Sequence, residues 1–481
     1  MLDAVGQFIS SGWLYSALLW TAIASTIIII IVILSENRNP VKSLAWVTVL
    51  LLLPVAGIVL YLFFGRNIKN RRMISRSNRR RLRRRGSRVP RRTATEERLS
   101  ERSRRQLNLG RSTTGAQFYE GNAVTVFTDG ASKFEALAAD LEKARTSICL
   151  QYYIFADDNT GLRIADILMR KAREGLDVRV LYDHVGSLGT SNRFFRTLRD
   201  AGVKVHPFFR VAFPNLGAHV NWRNHRKIVT IDGATGYIGG MNIADRYAAK
   251  GARPWRDTHV RLQGPAVAAL QFSFAVDWSF TSGELIDDFA NIPLPAVCGD
   301  IGAQVVTSGP MDTWSNIAMI FHKAIASAQQ RVYIQTPYFL PTEGLLRALE
   351  SAALAKTDVR IMMPRTSDSR MLTYASASYI AECLRAGIKV YFYEKGMLHA
   401  KTLLVDDELV SIGSANFDFR SFDYNFESNI FFYDKALNAR MAALFADDLR
   451  HCTRVQAAVW RRRSLGAKTA ESLLRLLAPV L

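Results

Sequence analysis

The sequence HRKIVTIDG at residues 225–233 has a counterpart, HAKTLLVDD, at residues 399–407. Both copies read His-x-Lys-x4-Asp. Each is followed at the same distance by a glycine-containing sequence that ends in Asn, GGMN at 239–242 and GSAN at 413–416. A motif that recurs with the same downstream asparagine indicates that the chain contains two related halves. We therefore expect each half to contribute one His-Lys pair.

Each copy of the motif predicts a β-hairpin. Residues 228–231 and 402–405 are β-branched or aliphatic runs that end in Asp-Gly or Asp-Asp, as a strand does where it enters a turn. Because alternate residues of a strand share a face, the His and Lys of each copy point the same way. A neutral imidazole beside a fixed ammonium suits attack on an anionic phosphodiester.

The sequence around the motif is also duplicated. LRDAGVKV at 198–205 resembles LRAGIKV at 384–390, and ICLQYYIF at 148–155 parallels VYIQTPYF at 332–339. The first pair reads as a helix end, a glycine stop and a strand. Strands that alternate with helical segments favour mixed α/β layering. The pattern predicts two homologous α/β halves that share one site.

The paired motifs resemble those of the phospholipase D superfamily. Within it, four local sequences resemble the bacterial cardiolipin synthases: PWRDTHV at 254–260, QTPYF at 335–339, GSANFDFRS at 413–421 and ESLLRLLAPVL at 471–481. The resemblance covers nearly the whole chain except the basic linker described below. It implies an α/β fold of two phospholipase D-like halves with one shared active site. We assign the halves to residues 119–320 and 321–481, the second ending in an amphipathic helix.

The resemblance implies phosphatidyl transfer without a cofactor or metal. One histidine attacks the phosphate of a first phosphatidylglycerol and forms a phosphohistidine. The opposite histidine protonates the departing glycerol and then deprotonates the hydroxyl of a second phosphatidylglycerol, which gives cardiolipin. By resemblance alone we assign His225 as the nucleophile and His399 as the acid and base. The symmetry of the motifs leaves the reverse assignment open.

Further residues are expected to bind phosphate. Lys227 and Lys401, with Asn242 and Asn416, are predicted to stabilise charge on the phosphate oxygens. Ser414 replaces Gly240 at the equivalent position and is predicted to add a hydroxyl donor.

Four carboxylates are expected to support the site. Asp257 and Glu427 match family positions that hydrogen-bond the imidazoles and set their tautomers, although a surface location is the alternative. Asp232 and Asp406 complete the motifs, and their places at strand ends predict that they hold the hairpins. No His, Asp or Glu cluster has the spacing of a metal site.

Other polar residues have weaker patterns. Three histidines without a lysine in register are expected to be structural: His184, His206 and His259. Three tyrosines are expected either to line the headgroup site or to lie in the core: Tyr152, Tyr153 and Tyr338.

Charge is unevenly distributed along the 481 residues. Fourteen Lys or Arg and no Asp or Glu lie between Gly65 and Ala94, and they supply most of the formal net charge of +21. Such a charge favours an anionic surface or nucleic acid as a partner. The four cysteines are widely spaced and have no C-x-x-C pattern, which indicates buried thiols in a reducing compartment rather than a disulfide framework.

The first 65 residues predict a transmembrane hairpin. Residues 13–34 carry no charge, and at ~1.5 Å per residue they are long enough for a ~30 Å hydrocarbon core. Residues 44–64 form a second uncharged stretch that includes Pro54 and Gly57, as membrane helices often do. A buried soluble helix or a re-entrant segment is the alternative for either stretch.

Residues 66–118 are predicted to be a basic juxtamembrane linker. We expect the arginines to lie on anionic lipid headgroups, and a disordered solvated linker is the alternative. The positive-inside rule places this segment and the catalytic halves in the cytoplasm, in a multi-pass protein of the bacterial inner membrane. No stacking aromatics interrupt the arginines, so a specific nucleic-acid partner is not expected.

Other functions remain open from the sequence. One is a membrane-anchored phospholipase D that passes the phosphatidyl group to water and releases phosphatidic acid. Another is a non-enzymatic basic protein that binds membranes or nucleic acid. Phosphatidylethanolamine is an alternative second substrate, because acceptor choice depends on the shape of the pocket and on water exclusion.

Overall fold

The computed structural model describes residues 12–35, 40–65, 68–69, 71–83, 94–211, 221–248, 254–286 and 294–477. The chain divides into one unit of residues 1–68 and 211–221 and a second unit of residues 69–210 and 222–481. Several predicted features lie outside the described residues: the loop at 36–39, the arginines at 84–92 and the C-terminal residues 478–481.

Apolar helices form the described part of the first unit. They are α1 (Gly12–Ser35), α2 (Pro40–Leu52) and α3 (Pro54–Leu60), which continues into a π-helical turn, Tyr61–Gly65. Within the described residues, only Tyr15–Ser35 is long and apolar enough to cross a membrane. The predicted second span is divided at Pro54, which has no N–H to donate and begins a new helix. The two-span hairpin therefore stays a prediction.

The second unit is an α/β fold. Its described elements before residue 300 are, in chain order, α4 (Arg76–Arg83), α5 (Ala94–Arg98), α6 (Glu101–Thr114), β1 (Phe118–Phe127), α7 (Gly130–Glu142), β2 (Ser147–Tyr152), α8 (Asn159–Arg173), β3 (Asp177–Asp183), α9 (Asn192–Asp200), β4 (Lys204–Phe208), β5 (Arg223–Asn224), β6 (Ile228–Ile231), β7 (Thr235–Gly239), α10 (Asp245–Ala248), β8 (Trp255–Arg256), β9 (His259–Gln263) and α11 (Val267–Ser282).

The remaining described elements broadly repeat the order from β1 to α11, with additional short strands and two C-terminal helices. They are β10 (Ile301–Ser308), α12 (Asn316–Ala326), β11 (Arg331–Gln335), β12 (Phe339–Leu340), α13 (Glu343–Leu354), β13 (Asp358–Pro364), α14 (Arg370–Arg385), β14 (Lys389–Tyr393), β15 (Met397–Leu398), β16 (Thr402–Val405), β17 (Leu409–Gly413), β18 (Phe417–Asp418), α15 (Phe419–Asp423), β19 (Asn425–Tyr433), α16 (Lys435–Leu449), β20 (Cys452–Arg454), α17 (Ala457–Arg461) and α18 (Leu465–Leu477).

One continuous sheet runs through both halves, in the order β20-β14-β13-β11-β16-β17-β19-β10-β1-β9-β7-β6-β2-β3-β4. From the antiparallel β1–β10 pair outward, β9-β7-β6-β2-β3-β4 on one side matches β19-β17-β16-β11-β13-β14 on the other. On each side the three outer strands of the matched set are parallel, and an antiparallel hairpin carries the motif. The predicted pair of homologous α/β halves is confirmed.

The boundary between the halves differs from the predicted one. Strand β10 takes in the second half the place that β1 takes in the first, so the second half begins before residue 301 rather than at residue 321. Helices cover both faces of the sheet. On one face α7–α9 pack on the first half and α12–α14 on the second, and on the other face α11 and α16 pack over the centre. Burial on both faces explains the continuous apolar runs of the motif strands.

Helix α6 departs from the predicted linker. Ser100 caps its N-terminus by accepting a hydrogen bond from the backbone N–H of Ser103, and Leu107 is fully buried in the core of the second half. Arg102 forms an ion pair with Asp406, and the amide of Gln304 donates to the carbonyl of Leu107 at 3.0 Å. This part of the predicted linker is therefore a helix docked on the second half. The sequence of this helix is polar and therefore resembles a solvated linker. Its polar side chains are nevertheless paired with residues of the second half.

Candidate active site

The two motif histidines line one cavity of about 380 Å³. His225 follows β5, which pairs with β19 of the second half, and His399 follows β15, which pairs with β8 of the first half. Each histidine thus follows a strand that pairs with a strand of the other half, and this pairing fixes the backbone next to it. The N–H of His225 donates to the carbonyl of Phe426 at 2.9 Å, and that of His399 to the carbonyl of Arg256 at 2.7 Å.

Each imidazole is held by a carboxylate from the opposite half. Nδ1 of His225 lies 3.0 Å from Oε1 of Glu427, and Nδ1 of His399 lies 2.7 Å from Oδ2 of Asp257. Both carboxylates are fully buried. An ionised carboxylate is an acceptor only, so Nδ1 carries the proton and Nε2 keeps its lone pair. The sequence suggested that these residues meet imidazoles, but not that the pairs cross between the halves.

Burial sets the protonation of both pairs. Burial lowers the pKa of His225, and burial with the nearby Lys401 ammonium lowers the pKa of His399 to about 4. Although burial alone raises the pKa of Glu427, its charge interaction and hydrogen bond with His225 hold that pKa at about 2. The pKa of Asp257 is likewise lowered, against the effect of burial, chiefly by Lys401 and His399. At neutral pH the pairs are neutral imidazole and carboxylate.

The motif lysines lie behind the histidines rather than among the residues that line the cavity. Nζ of Lys227 donates to the carbonyl of His225 at 2.6 Å and lies 5.3 Å from the centre of the Tyr153 ring. Lys401 donates to the carbonyl of His399, and its Nζ lies 3.9 Å from the Asp257 carboxylate. Burial lowers the pKa of Lys227 well below its usual value and that of Lys401 to about 8. Their predicted contact with phosphate stays a prediction.

The two asparagines both line the cavity but differ in their contacts. The side chain of Asn242 accepts from the N–H of Ile154 at 3.1 Å and donates to the hydroxyl of Tyr247 at 2.6 Å. In contrast, the buried Oδ1 of Asn416 has no hydrogen-bond partner in the described part of the chain. A buried polar atom without a partner is costly, so Asn416 is the asparagine with hydrogen-bonding capacity for a ligand.

Ser414 makes contacts other than the predicted one to phosphate, which stays a prediction. Its hydroxyl donates to the Glu427 carboxylate and accepts from the N–H of Ser428 at 3.0 Å, so it has no hydrogen left for a phosphate. The equivalent position in the first half is Gly240, where a Cβ atom would meet the carboxylate of Asp257. Position 414 therefore has space for a side chain beside Glu427, whereas position 240 has none beside Asp257.

The motif aspartates lie at the far end of their strands from the histidines. The carboxylate of Asp232 accepts from the N–H groups of residues 145–147 at 2.8–3.0 Å, and that of Asp406 accepts from those of residues 329–331 at 2.7–3.1 Å. Both have positive φ, near 50°. They fix the hairpin turn to the adjacent strand, and neither is among the residues that line the cavity.

Further cavity residues were not identified from the sequence. An arginine occurs four residues after each asparagine, Arg246 and Arg420, and both line the cavity. The duplicated Asn-x3-Arg spacing was the signal that could have found them. Arg223 and Asp368 also line it, and Asp368 accepts from the Tyr338 hydroxyl at 2.5 Å.

The predicted tyrosines separate into two groups. Tyr153 and Tyr338 line the cavity, whereas Tyr152 is buried and its hydroxyl accepts from Nζ of Lys133 at 2.9 Å. Within the described residues, no three His, Cys, Asp or Glu side chains converge as metal ligands would.

Comparison with known proteins finds the same organisation. A family model described as cardiolipin synthase, PLD-like domain, matches residues 137–277 and 321–449, one segment in each half. A second model, phospholipase D-nuclease N-terminal, matches residues 23–66.

Proteins similar to this chain match it over nearly its full length. The chain is 39% identical to the major cardiolipin synthase ClsA of Bacillus subtilis, over 95% of this chain and 98% of that one. It is 42% identical to cardiolipin synthase 2 of Bacillus cereus, over 94% of this chain and 89% of that one. The crystal structure of a phosphatidylserine synthase from Haemophilus influenzae has the same fold, with a TM-score of 0.60 at 16% identity, covering 79% of this chain and 98% of that one.

Proposed function

The chain belongs to the cardiolipin synthase family of the phospholipase D superfamily, and from this we propose that it transfers a phosphatidyl group between two phosphatidylglycerol molecules. The products are cardiolipin and glycerol. The observation that carries the proposal is the pair of histidines that line one cavity, each with its Nδ1 bound by a buried carboxylate. Because Nδ1 of each imidazole is bound by a carboxylate, Nε2 of one can bond to phosphorus while Nε2 of the other moves a proton.

In the first half-reaction, Nε2 of His225 attacks the phosphorus of the first phosphatidylglycerol. The bond from phosphorus to the glycerol headgroup breaks, and the glycerol oxygen takes the proton from Nε2 of His399. A phosphatidyl-histidine remains. The bound phosphodiester anion and Asp257 favour the protonated form of His399 that this step requires, because nearby negative charge raises the pKa of an imidazole.

In the second half-reaction, a hydroxyl of another phosphatidylglycerol gives its proton to His399 and its oxygen attacks the phosphorus. The phosphorus–nitrogen bond breaks, His225 is restored as neutral imidazole, and cardiolipin leaves. Because His399 is left neutral by the first half-reaction, it is ready to act as the base in the second.

Fixed positive charge stabilises the developing phosphorane. Arg246 and Arg420 lie in the cavity lining at equivalent positions, and guanidinium groups suit paired contacts with phosphate oxygens. Lys227 and Lys401 add positive charge behind the histidines, where low dielectric strengthens their effect. The unpartnered Oδ1 of Asn416 can accept a hydrogen bond from a substrate hydroxyl, and Asn242 serves to position Tyr247.

The N-terminal unit holds the enzyme at its lipid substrate. An apolar helix of spanning length and the match of residues 23–66 to the phospholipase D-nuclease N-terminal family support membrane attachment. We propose two spans in the bacterial inner membrane, with the catalytic halves in the cytoplasm. Single cysteines placed at residue 38 and at the exposed position 450 test the topology. A membrane-impermeant thiol reagent applied to intact spheroplasts should label only the first.

Product analysis tests the activity. Purified full-length protein should convert labelled phosphatidylglycerol in detergent micelles into cardiolipin and glycerol. Phosphatidic acid without cardiolipin would identify a hydrolase instead. Cardiolipin formed only when phosphatidylethanolamine is added would identify a different second substrate.

A further inference from the structure

A second cavity, of about 310 Å³, lies beneath the described part of the basic segment. Residues 71–74 and helix α4 form one side, helix α11 forms the opposite side, and residues 305–312 close it between them. The volume is at the lower end of the ~300–1,000 Å³ that small-molecule sites occupy. The predicted linker therefore folds over a site-sized space in this region.

Positive charge dominates one side of this cavity. Arg71, Arg72, Arg79 and Arg83 all line it. Among the described residues, no carboxylate forms an ion pair with any of the four. Burial and the charge of Arg79 lower the pKa of Arg83, which shows that the cluster opposes its own charge. An anion in the cavity would relieve that repulsion.

The other charged groups of the lining leave the excess positive charge in place. Arg226 is already paired with Asp277 at 2.5 Å. Asp312 accepts from the side-chain amide of Asn316 at 2.9 Å, and burial raises the pKa of Asp312 to about 6. Within the described lining, Asp312 is thus the one carboxylate beside the four arginines, and its raised pKa reduces its negative charge.

The opposite side of the cavity is mostly apolar, although helix α11 also contributes Gln271 and Ser273 to the lining. Helix α11 contributes Ala269, Phe272 and Val276, and the Arg83 guanidinium lies 5.5 Å from the centre of the Phe272 ring. Leu82 is buried in the same cluster. A site with arginines on one side and mostly apolar side chains on the other fits a ligand that carries a phosphate on an apolar body.

This cavity is distinct from the catalytic one. Arg226 and Phe426 line it, whereas the preceding residues His225 and Asn425 line the catalytic cavity. Successive side chains of extended backbone point to opposite faces, so the two cavities lie on opposite sides of the β5–β19 pair.

We propose that this second cavity is a non-catalytic binding site for an anionic phospholipid, with the phosphate at the arginines and an acyl chain along α11. A membrane-attached chain meets such lipids at high local concentration. Single-stranded nucleic acid is disfavoured, because it requires an open groove with several stacking aromatics. The proposal does not depend on phosphatidyl transfer.

Photocrosslinking of the full-length enzyme in neutral detergent tests the proposal. The probe is phosphatidic acid with a diazirine in one acyl chain, which has no alcohol headgroup to be displaced by a histidine. We expect crosslinked peptides from residues 71–83 and 267–282. Arg72→Gln with Arg79→Gln should lower the yield about tenfold or more, because each nearby arginine contributes about 1 kcal/mol to binding an anionic lipid.

Matched variants distinguish the cavity from general charge attraction. Arg76→Gln with Arg80→Gln removes the same charge from α4 at positions outside the lining, and should leave the yield unchanged. Ala269→Phe fills the apolar side without altering charge and should abolish the crosslinks, with the melting temperature measured to verify folding. Equal loss in both arginine pairs, or crosslinks confined to the catalytic cavity, would overturn the proposal. Competition by millimolar inorganic phosphate as strong as by unlabelled phosphatidic acid would assign the site to free phosphate and overturn the lipid assignment.

Discussion

Nδ1 of His225 lies 3.0 Å from Oε1 of Glu427, a residue 202 positions away in the other half of the fold. The reciprocal pair, His399 and Asp257, is separated by 142 positions and 2.7 Å. Each half therefore orients the imidazole of the other. Neither histidine has its carboxylate partner unless both halves are folded together.

Glu427→Gln should lower kcat by about 100-fold or more, because a neutral amide neither fixes the tautomer of His225 nor stabilises its protonated form. The melting temperature should change little, since the amide keeps the shape of the side chain. Glu394→Gln is the matched control, because that carboxylate pairs with Arg365 on the surface of the same half. A Glu427→Gln enzyme with normal kcat would show that the crossed carboxylate has no part in turnover.

Single replacement of either motif histidine by alanine should reduce turnover by about 10³-fold or more, because each has a separate bond-forming or proton-transfer task. A labelled phosphoenzyme should accumulate in His399→Ala and be absent in His225→Ala. The opposite pattern would reverse the two assignments. His322→Ala, at an exposed position, is the control. Near-normal activity in both motif variants would favour the non-enzymatic basic protein.

Gly240→Ala should reduce kcat more than Ser414→Ala does. A methyl group at residue 240 meets the Asp257 carboxylate and must displace it from His399, whereas Ser414→Ala only removes hydrogen bonds to Glu427 and Ser428. Loss of a hydrogen bond to a charged group costs about 1.5–3 kcal/mol, so we expect a decrease of about 10- to 100-fold for Ser414→Ala if the whole cost appears in the barrier.

Gly240→Ala and Ser414→Ala are both compared with the wild type by steady-state kinetics and by their melting temperatures. Gly189→Ala is the control, because a Cβ there has no neighbour within 4 Å. Equal kcat values for Gly240→Ala and the wild type would mean that the Asp257 contact tolerates displacement.

The acid limb of kcat/KM should lie below pH 6.5, the ordinary pKa of histidine. Burial lowers the pKa of His225, and protonation of this nucleophile removes its lone pair. Burial and Lys401 also lower the pKa of His399, to about 4. The same shift affects stability. A group whose pKa is lower in the folded state stabilises the fold above its unfolded pKa, and this contribution is lost as the pH falls from about 6.5 towards 4.

Kinetic pH profiles and melting curves between pH 4 and pH 9 check both expectations. Glu427→Gln should move the acid limb further down, because the imidazolium of His225 loses its anionic partner. An acid limb at or above pH 6.5 would contradict the assignment of His225 as a buried neutral nucleophile.

Arg246→Gln and Arg420→Gln should each lower kcat/KM by about 10- to 100-fold, because a charged hydrogen bond to phosphate contributes about 1.5–3 kcal/mol. Arg365→Gln, which removes a surface ion pair with Glu394, should have near-normal kinetics. If both cavity variants retain wild-type kcat/KM, the lysines behind the histidines supply the positive charge alone.

The sequence alone determined the two halves, the motif hairpins and the choice of both histidines. These features are local or repeated: a strand that enters a turn, a residue pair that shares a face, and a spacing that recurs 174 positions later, from His225 to His399. The duplicated motif therefore predicted both the α/β repeat and the chemistry of the site.

Only the tertiary structure decided how the halves meet. The crossing of Glu427 to His225, the orientation of Ser414 towards a carboxylate, and the docking of α6 on Asp406 all depend on contacts between residues far apart in the chain. The cavity beneath residues 71–83 was hidden for the same reason. An arginine-rich sequence of low apolar content reads as solvated when alone, and its packing exists only because another part of the chain supplies the apolar surface.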